Sequence, residues 1–181
     1  MLKRSEVVQF RKEAVALIKR SGFPISREEE TRVDVADFGL SNQRVEGAQI
    51  ITLYASSRTS AKVIVLLPHQ TLPEHWHPPV GEDPGKEETV RSFWGTLFVY
   101  LAGEPSLKRG HLVPGKEGVY TLRREVVLEP GGQLSLEPGE KHWFQAGAEG
   151  AVLFSFSSVV RDVLDGFTDP AVVRITQITE D

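Results

Sequence analysis

His75 and His77 sit one residue apart in "PEHWHPPVGEDPGKEETVRSFWG", residues 73–95, and their type and spacing could do chemistry. On an extended strand, side chains two apart share a face, so both imidazoles project to the same side. Ten residues separate His77 from Glu88, through a loop rich in Pro and Gly, and a hairpin could return Glu88 to that face. A third imidazole, His142, follows the Pro138-Gly139 turn at the start of a later run of strand-forming residues. Three neutral imidazoles and one carboxylate suit a borderline divalent ion: Mn, Fe, Co, Ni or Zn. The chain has no cysteine, so thiolate sites and disulfides are excluded and a metal must be held by nitrogen and oxygen. A single histidine in a strand protein is more often surface or hydrogen-bonded core than ligand, and His69 and His111 are read that way.

Several elements must position these groups. Val7, Phe10, Ala14, Leu17 and Ile18 recur at three- and four-residue spacing, which predicts a helix that Ser5 could cap and Gly22 could end, covering one side of a sheet. From residue 31 the pattern changes to short runs rich in Val, Ile, Phe, Tyr and Thr, broken every 8–12 residues by turn formers. Strands are expected at "TRVDVADF", "AQIITLYAS", "AKVIVLLP", "RSFWGTLFVYLAG", "GVYTLRREVVLE", "QLSLEPG", "KHWFQAG", "GAVLFSFSS" and "VVRITQI". Many evenly spaced strands predict an all-β antiparallel barrel rather than a βαβ fold. The whole chain of 181 residues reads as one domain, with residues 1–30 a helical extension and 31–181 the barrel. Residues 78–86 and about 103–117 are the long polar loops; five of the nine residues 78–86 are Pro or Gly, and that loop could act as a lid.

The formal net charge of −4, with no run of Lys and Arg longer than two, argues against nucleic acid or an anionic membrane as partner. No apolar run reaches spanning length and charges interrupt the amino-terminal segment, so the expected location is cytoplasmic and the expected partner a small molecule. One methionine and many Glu and Arg residues fit a heat-adapted, thermostable protein.

The histidine stretch resembles the first motif of the cupins, G-x5-H-x-H-x(3–4)-E-x6-G. Here the interval from the second His to Glu is widened to ten residues, and Glu88 is followed after six residues by Gly95. That E-x6-G spacing selects Glu88 over Glu87. Gly131-Gly132 through Pro138-Gly139-Glu140-Lys141-His142 is similar to the second motif, G-x5-P-x-G-x2-H-x3-N, with Pro and Gly adjacent and Ala146 in place of Asn. The resemblance implies the cupin jelly-roll barrel with an N-terminal helix, and His75, His77, Glu88 and His142 as metal ligands. Across most of the chain, "KRSEV", "VADFG", "PEHWHP", "GKEET", "KHWFQAG" and "SS…RD…FTDP" resemble the D-lyxose isomerases, cupin sugar isomerases. That family implies a Mn2+-dependent interconversion of D-lyxose with D-xylulose and of D-mannose with D-fructose, usually in a homodimer.

Such an isomerisation moves a proton between C1 and C2 through a cis-enediol, or moves a hydride, and needs stabilised charge on O1 and O2. Glu88 is a candidate proton carrier, Glu87 a weaker one because adjacent strand residues face opposite ways. Lys86 lies two residues from Glu88, where its ammonium could bind a sugar hydroxyl or assist ring opening; a solvated loop lysine is the plainer reading. Asp162 is a sugar-binding candidate, or else the cap of the turn in "RDVLDG". Trp76 and Trp143 alternate with the histidines and read as packing or contact residues, Lys141 as a solvated edge. Three further readings stay open: a phosphosugar isomerase, for which only "SSRTS" at 56–60 offers phosphate donors; an iron dioxygenase; and a cupin that binds a sugar without turnover.

Overall fold

The protein is described by a computed structural model that covers all 181 residues. After a short strand β1 (Leu2–Lys3), helix α1 runs Arg4–Ser21 and buries Val7, Phe10, Ala14 and Ile18, the stripe its periodicity predicts. Its start differs from expectation. Glu6 accepts the backbone N–H of Lys3 at 2.8 Å and caps the helix, while Ser5 bonds to Asp181. Gly22 ends it in the left-handed region, φ 79°, as its missing Cβ permits. A second helix α2, Arg27–Thr31, occupies the start of the expected first strand; Ser26 and Glu29 form the capping box that nucleates it.

The strands are β2 (Asp34–Ala36), β3 (Ala48–Ala55), β4 (Thr59–Leu66), β5 (Thr71–Trp76), β6 (Glu88–Trp94), β7 (Leu97–Leu101), β8 (Arg124–Leu128), β9 (Gln133–Leu136), β10 (His142–Ala146), β11 (Ala151–Ser158), β12 (Gly166–Phe167) and β13 (Ile178–Thr179). One sheet has the order β12-β5-β10-β7-β8 and the other β2-β3-β4-β11-β6-β9. Within them, β5-β10-β7-β8 faces β4-β11-β6-β9, the interleaved order of two Greek keys, which is the jelly roll of the cupin fold. Seventeen buried apolar residues drawn from both sheets, among them Ile64, Leu72, Val90, Val99, Leu136, Phe144 and Leu153, fill the space between. Ala14 and Ile18 of α1 close the outer face of the six-stranded sheet over Ile51, Val63, Val65 and Val152. No helix is long and apolar enough to cross a membrane.

Three expected strands are shorter or divided. "RSFWGTLFVYLAG" splits at Gly95, where φ is 72° and a Cβ would meet the Gly150 carbonyl oxygen at 2.1 Å, so the chain turns from one sheet into the other. In "GVYTLRREVVLE" only β8 joins a ladder, because the N–H groups of Thr121 and Leu122 are taken by the buried carboxylate of Glu74. "VVRITQI" pairs only at β13; its earlier part is held irregularly by Val173 N–H to Phe38 and by Thr176 to Val35.

Candidate metal centre

Leu72 and His75 both face the barrel interior although they lie three apart. Opposite them on β10, His142 and Phe144 are two apart, and the register between β5 and β10 shifts at this point. That bulge re-aims β5 so that His75 joins His142. The imidazoles of His75, His77 and His142 converge with nitrogen atoms within 4.8 Å of one another, all three buried. Ring centroids lie 4.2 Å apart for His75 and His142, 5.2 Å for His75 and His77, and 5.3 Å for His77 and His142.

Each ring is oriented through Nδ1. His75 Nδ1 lies 2.8 Å from the Pro73 carbonyl, His142 Nδ1 2.8 Å from that of Glu140, and His77 Nδ1 2.7 Å from Asp165 Oδ1. A proton on Nδ1 leaves the Nε2 lone pair free to bind a cation. His142 Nε2 is buried with no hydrogen-bond partner, an orphaned acceptor of the kind a metal ion satisfies. Burial pushes His75 well below its ordinary pKa, helped by His142 and His77, and pushes His142 down to about 4. Both are therefore unprotonated, ligand-competent bases near neutral pH.

Glu88, the first residue of β6, brings its Oε2 to 3.0 Å from His77 Nε2 and 3.1 Å from Lys86 Nζ, while Oε1 accepts the Ser155 hydroxyl. Burial would raise its pKa, but Lys86 and then His77 outweigh it and hold the carboxyl well below its usual range. For His77, burial works against the proton, yet Asp165 and Glu88 raise the ring above its ordinary value. A positive charge between His77 Nε2 and Glu88 Oε2 is thus what this pairing favours, so the donor set fits a divalent cation. Glu87 is exposed and points away, as strand alternation requires.

Lys86 is a buried wall residue rather than a solvated loop lysine: burial alone would lower it, but Glu88, Asp162 and Asp165 raise it. Asp162 lies on a single 3₁₀ turn (Asp162–Leu164) after β11, ion-paired with Lys62, 3.4 Å from Arg174 Nη2 and 3.8 Å from Lys86 Nζ. Burial would raise its pKa, but Lys62 and Lys86 lower it, so it stays charged. With Phe38, Ile50, Ile64, Leu72, Phe144 and Phe167 as apolar walls, these groups line one cavity.

His75, His77, Glu88, His142, Lys86 and Asp162, the residues expected to form a site, therefore meet at one place. Three partners were not foreseen. Lys62 had a signal, a charge on the inward alternation of "AKVIVLLP" shared with Ile64 and Leu66; Asp165 and Arg174 had none, since irregular segments carry them. Of residues 78–86, expected as a lid, only Lys86 lines the cavity. Their tie to the site is indirect, through Asp83, which accepts Arg161 Nη2 at 2.9 Å beside Asp162. Trp143 is core, stacked on Tyr100 at 3.6 Å, and Trp76 packs away from the site under Lys141. His69 and His111 stand against each other on the surface, ring centroids 5.8 Å apart.

A sequence profile of the D-lyxose isomerase family matches residues 26–181. A D-lyxose ketol-isomerase of Cohnella laeviribosi is 45% identical over 181 residues, covering 99% of this chain and 100% of that protein. A D-lyxose/D-mannose isomerase of Thermosediminibacter oceani is 42% identical over 182 residues, again 99% of this chain and 100% of the relative. Among solved structures, an L-ribose isomerase of Cellulomonas parahominis superposes with a TM-score of 0.81 at 16% identity, covering 98% of both chains; at that identity the likeness speaks for the fold.

Proposed function

The chain belongs to the D-lyxose isomerase family and is an aldose–ketose isomerase; from that premise we propose that it interconverts D-lyxose with D-xylulose and D-mannose with D-fructose, using His75, His77, His142 and Glu88 to hold Mn2+. Co2+, Ni2+, Fe2+ and Zn2+ suit the same donors. The observation that carries this reading is the set of three buried imidazoles, each with Nδ1 engaged, with His77 Nε2 turned to the Glu88 carboxylate and His142 Nε2 orphaned. A divalent ion there would polarise the sugar carbonyl and steady the charge that develops on O1 and O2.

The chain's own groups do the rest. Glu88, held as a carboxylate, accepts and returns the proton that passes between C2 and C1 of the cis-enediol. Lys86, held as an ammonium, donates hydrogen bonds to sugar oxygens, and Asp162 accepts from the hydroxyls farther along the chain. The ring of Phe167, stacked on His75 at 5.7 Å, helps keep water away from the reacting end. A free sugar fits better than a phosphosugar: residues 56–60, the only phosphate donors suggested by sequence, span the β3–β4 turn and the start of β4 and do not line the cavity. The functional unit we propose is a homodimer.

The test is ketose formation from D-lyxose and D-mannose by chelator-stripped protein, before and after adding Mn2+. Restored ketose supports the reading. No ketose with metal demonstrably bound would return weight to an oxygen-dependent or purely binding cupin. His75→Ala, His77→Ala and His142→Ala should each lose metal and turnover together, whereas Glu88→Gln should keep part of the metal and lose far more rate.

A further inference from the structure

The cavity beside the histidines offers about 40 Å³, room for about three water molecules. A pentose does not pass through that space. Beside it lies a cavity of about 450 Å³, walled by Val7 and Arg11 of α1, Asp34 and Val35 of β2, residues 160–163, and residues 174–176 with Ile178. The two cavities share two wall residues, Asp162 and Arg174. None of the three other large surface cavities shares a wall residue with the inner one.

We propose that the Asp162–Arg174 pair is a movable partition, and that the sugar reaches the histidine cluster from the outer cavity when the Arg174 side chain swings away. This rests on the isomerase reading for the identity of the ligand, but not for the route. Asp162 and Arg174 are the most exposed wall charges, with side chains about 20% and 19% exposed against 11% for Asp165, 8% for Lys86 and 4% for Glu88. Of the three cations paired with Asp162, Arg174 is the most exposed, its side chain at 19% against 6% for Lys62 and 8% for Lys86, so its pair is the one that yields.

The surrounding chain says which part moves. The backbone beside Arg174 is pinned on both sides, by Val173 N–H to the Phe38 carbonyl at 2.8 Å and by Thr176 Oγ1 to the Val35 carbonyl at 2.9 Å. Opening is therefore a rotation of the Arg174 side chain off Asp162 and off the Phe38 ring, 5.7 Å away. Facing it, Val163 and Leu164 on the 3₁₀ turn are exposed, so lifting that turn uncovers little apolar area. Its limits are Asp165, anchored on His77, and Arg161, anchored on Asp83.

The five histidines supply the test: three lie behind the partition and two, His69 and His111, are on the surface as internal references. Metal-free wild type, Arg174→Ala, Arg174→Met and Arg174→Lys are treated with diethyl pyrocarbonate, and modification of each histidine is followed by peptide mass spectrometry. In Arg174→Ala and Arg174→Met the buried three should react on the order of tenfold faster relative to the surface two. Arg174→Lys, which keeps a cation on Asp162, should stay near wild type. If the alanine variant does not fold, the methionine variant, which keeps packing on Phe38, decides. Unchanged relative rates in a folded Arg174→Met protein overturn the partition. Faster modification in a protein whose wild type makes no ketose leaves the partition standing and removes the sugar reading alone.

Discussion

Asp165 differs from the other groups that orient the imidazoles. His75 and His142 lean on backbone carbonyls, which no substitution removes, but His77 leans on the Asp165 side chain. A ligand whose distal nitrogen loses its acceptor rotates and becomes a weaker base. Asp165→Ala should therefore weaken metal binding by about 10- to 100-fold with the fold intact; titration of stripped protein with Mn2+ reads it, and an unchanged affinity would mean that His77 is not held through this bond. The residue-type pattern H-x-H…E…H was legible without coordinates because ligand chemistry restricts it to few residue types. Asp165, Lys62 and Arg174 were not, because a carboxylate or a cation in an irregular stretch looks like a solvated charge until its partner is known.

At the scale of elements, the long loop between β7 and β8 shows how the chain holds segments that make no ladder. Glu125 of β8 accepts N–H groups of Arg109 at 3.1 Å and Gly110 at 2.9 Å, together with the Tyr100 hydroxyl at 2.9 Å. Burial would raise its pKa, but the Gly110, Tyr100 and Arg109 bonds lower it below the ordinary 4.5. A depressed carboxylate contributes stability that is present above its unfolded value and is lost as pH falls through the folded one. Glu125→Gln should thus be less stable than wild type at pH 7, by about 1–2 kcal/mol, and should lose less additional stability between pH 5 and the acid limb. Urea melts across that range check it; parallel curves would show that Glu125 is not linked to folding. Period-2 patterning found most strands that pair on both sides but passed over β5, which pairs with β10 and β12, because Thr71–His75 is buried throughout and shows no alternation. It overran in "GVYTLRREVVLE" and "VVRITQI" because apolar alternation marks a buried extended chain, while ladder membership depends on which neighbour takes the backbone donors.

For the molecule as a whole, the proposed ligands come from both sheets: His75, with His77 just beyond it, and His142 from the five-stranded one, Glu88 from the six-stranded one. An ion held by all four would tie the two layers together across the mouth of the barrel. Stripping it should lower Tm by about 5–10 °C if the ion is present at roughly a hundred times its Kd, and Mn2+ but not Mg2+ should restore it, since imidazole nitrogen binds magnesium poorly. A Tm indifferent to chelator would mean that no ion bridges the sheets here.

The amino-acid sequence by itself determined an antiparallel β barrel, through the period-2 strands and their turn formers, the helix over one sheet face, and the ligand types with their spacing. Those are local properties, set by backbone geometry and by which side chains bind a cation. The tertiary structure decided what depends on distance between remote segments. A bulge in β5 turns His75 inward to meet His142; a turn and a tail near the carboxyl end bring Asp162, Asp165 and Arg174 to Lys62 and Lys86; and the wall shared with the larger neighbouring cavity lies at that turn and tail, not at the proline-rich loop. Long-range contacts of this kind carry no periodic trace, because the residues that make them are chosen by charge and reach across the fold rather than by position along a helix or strand.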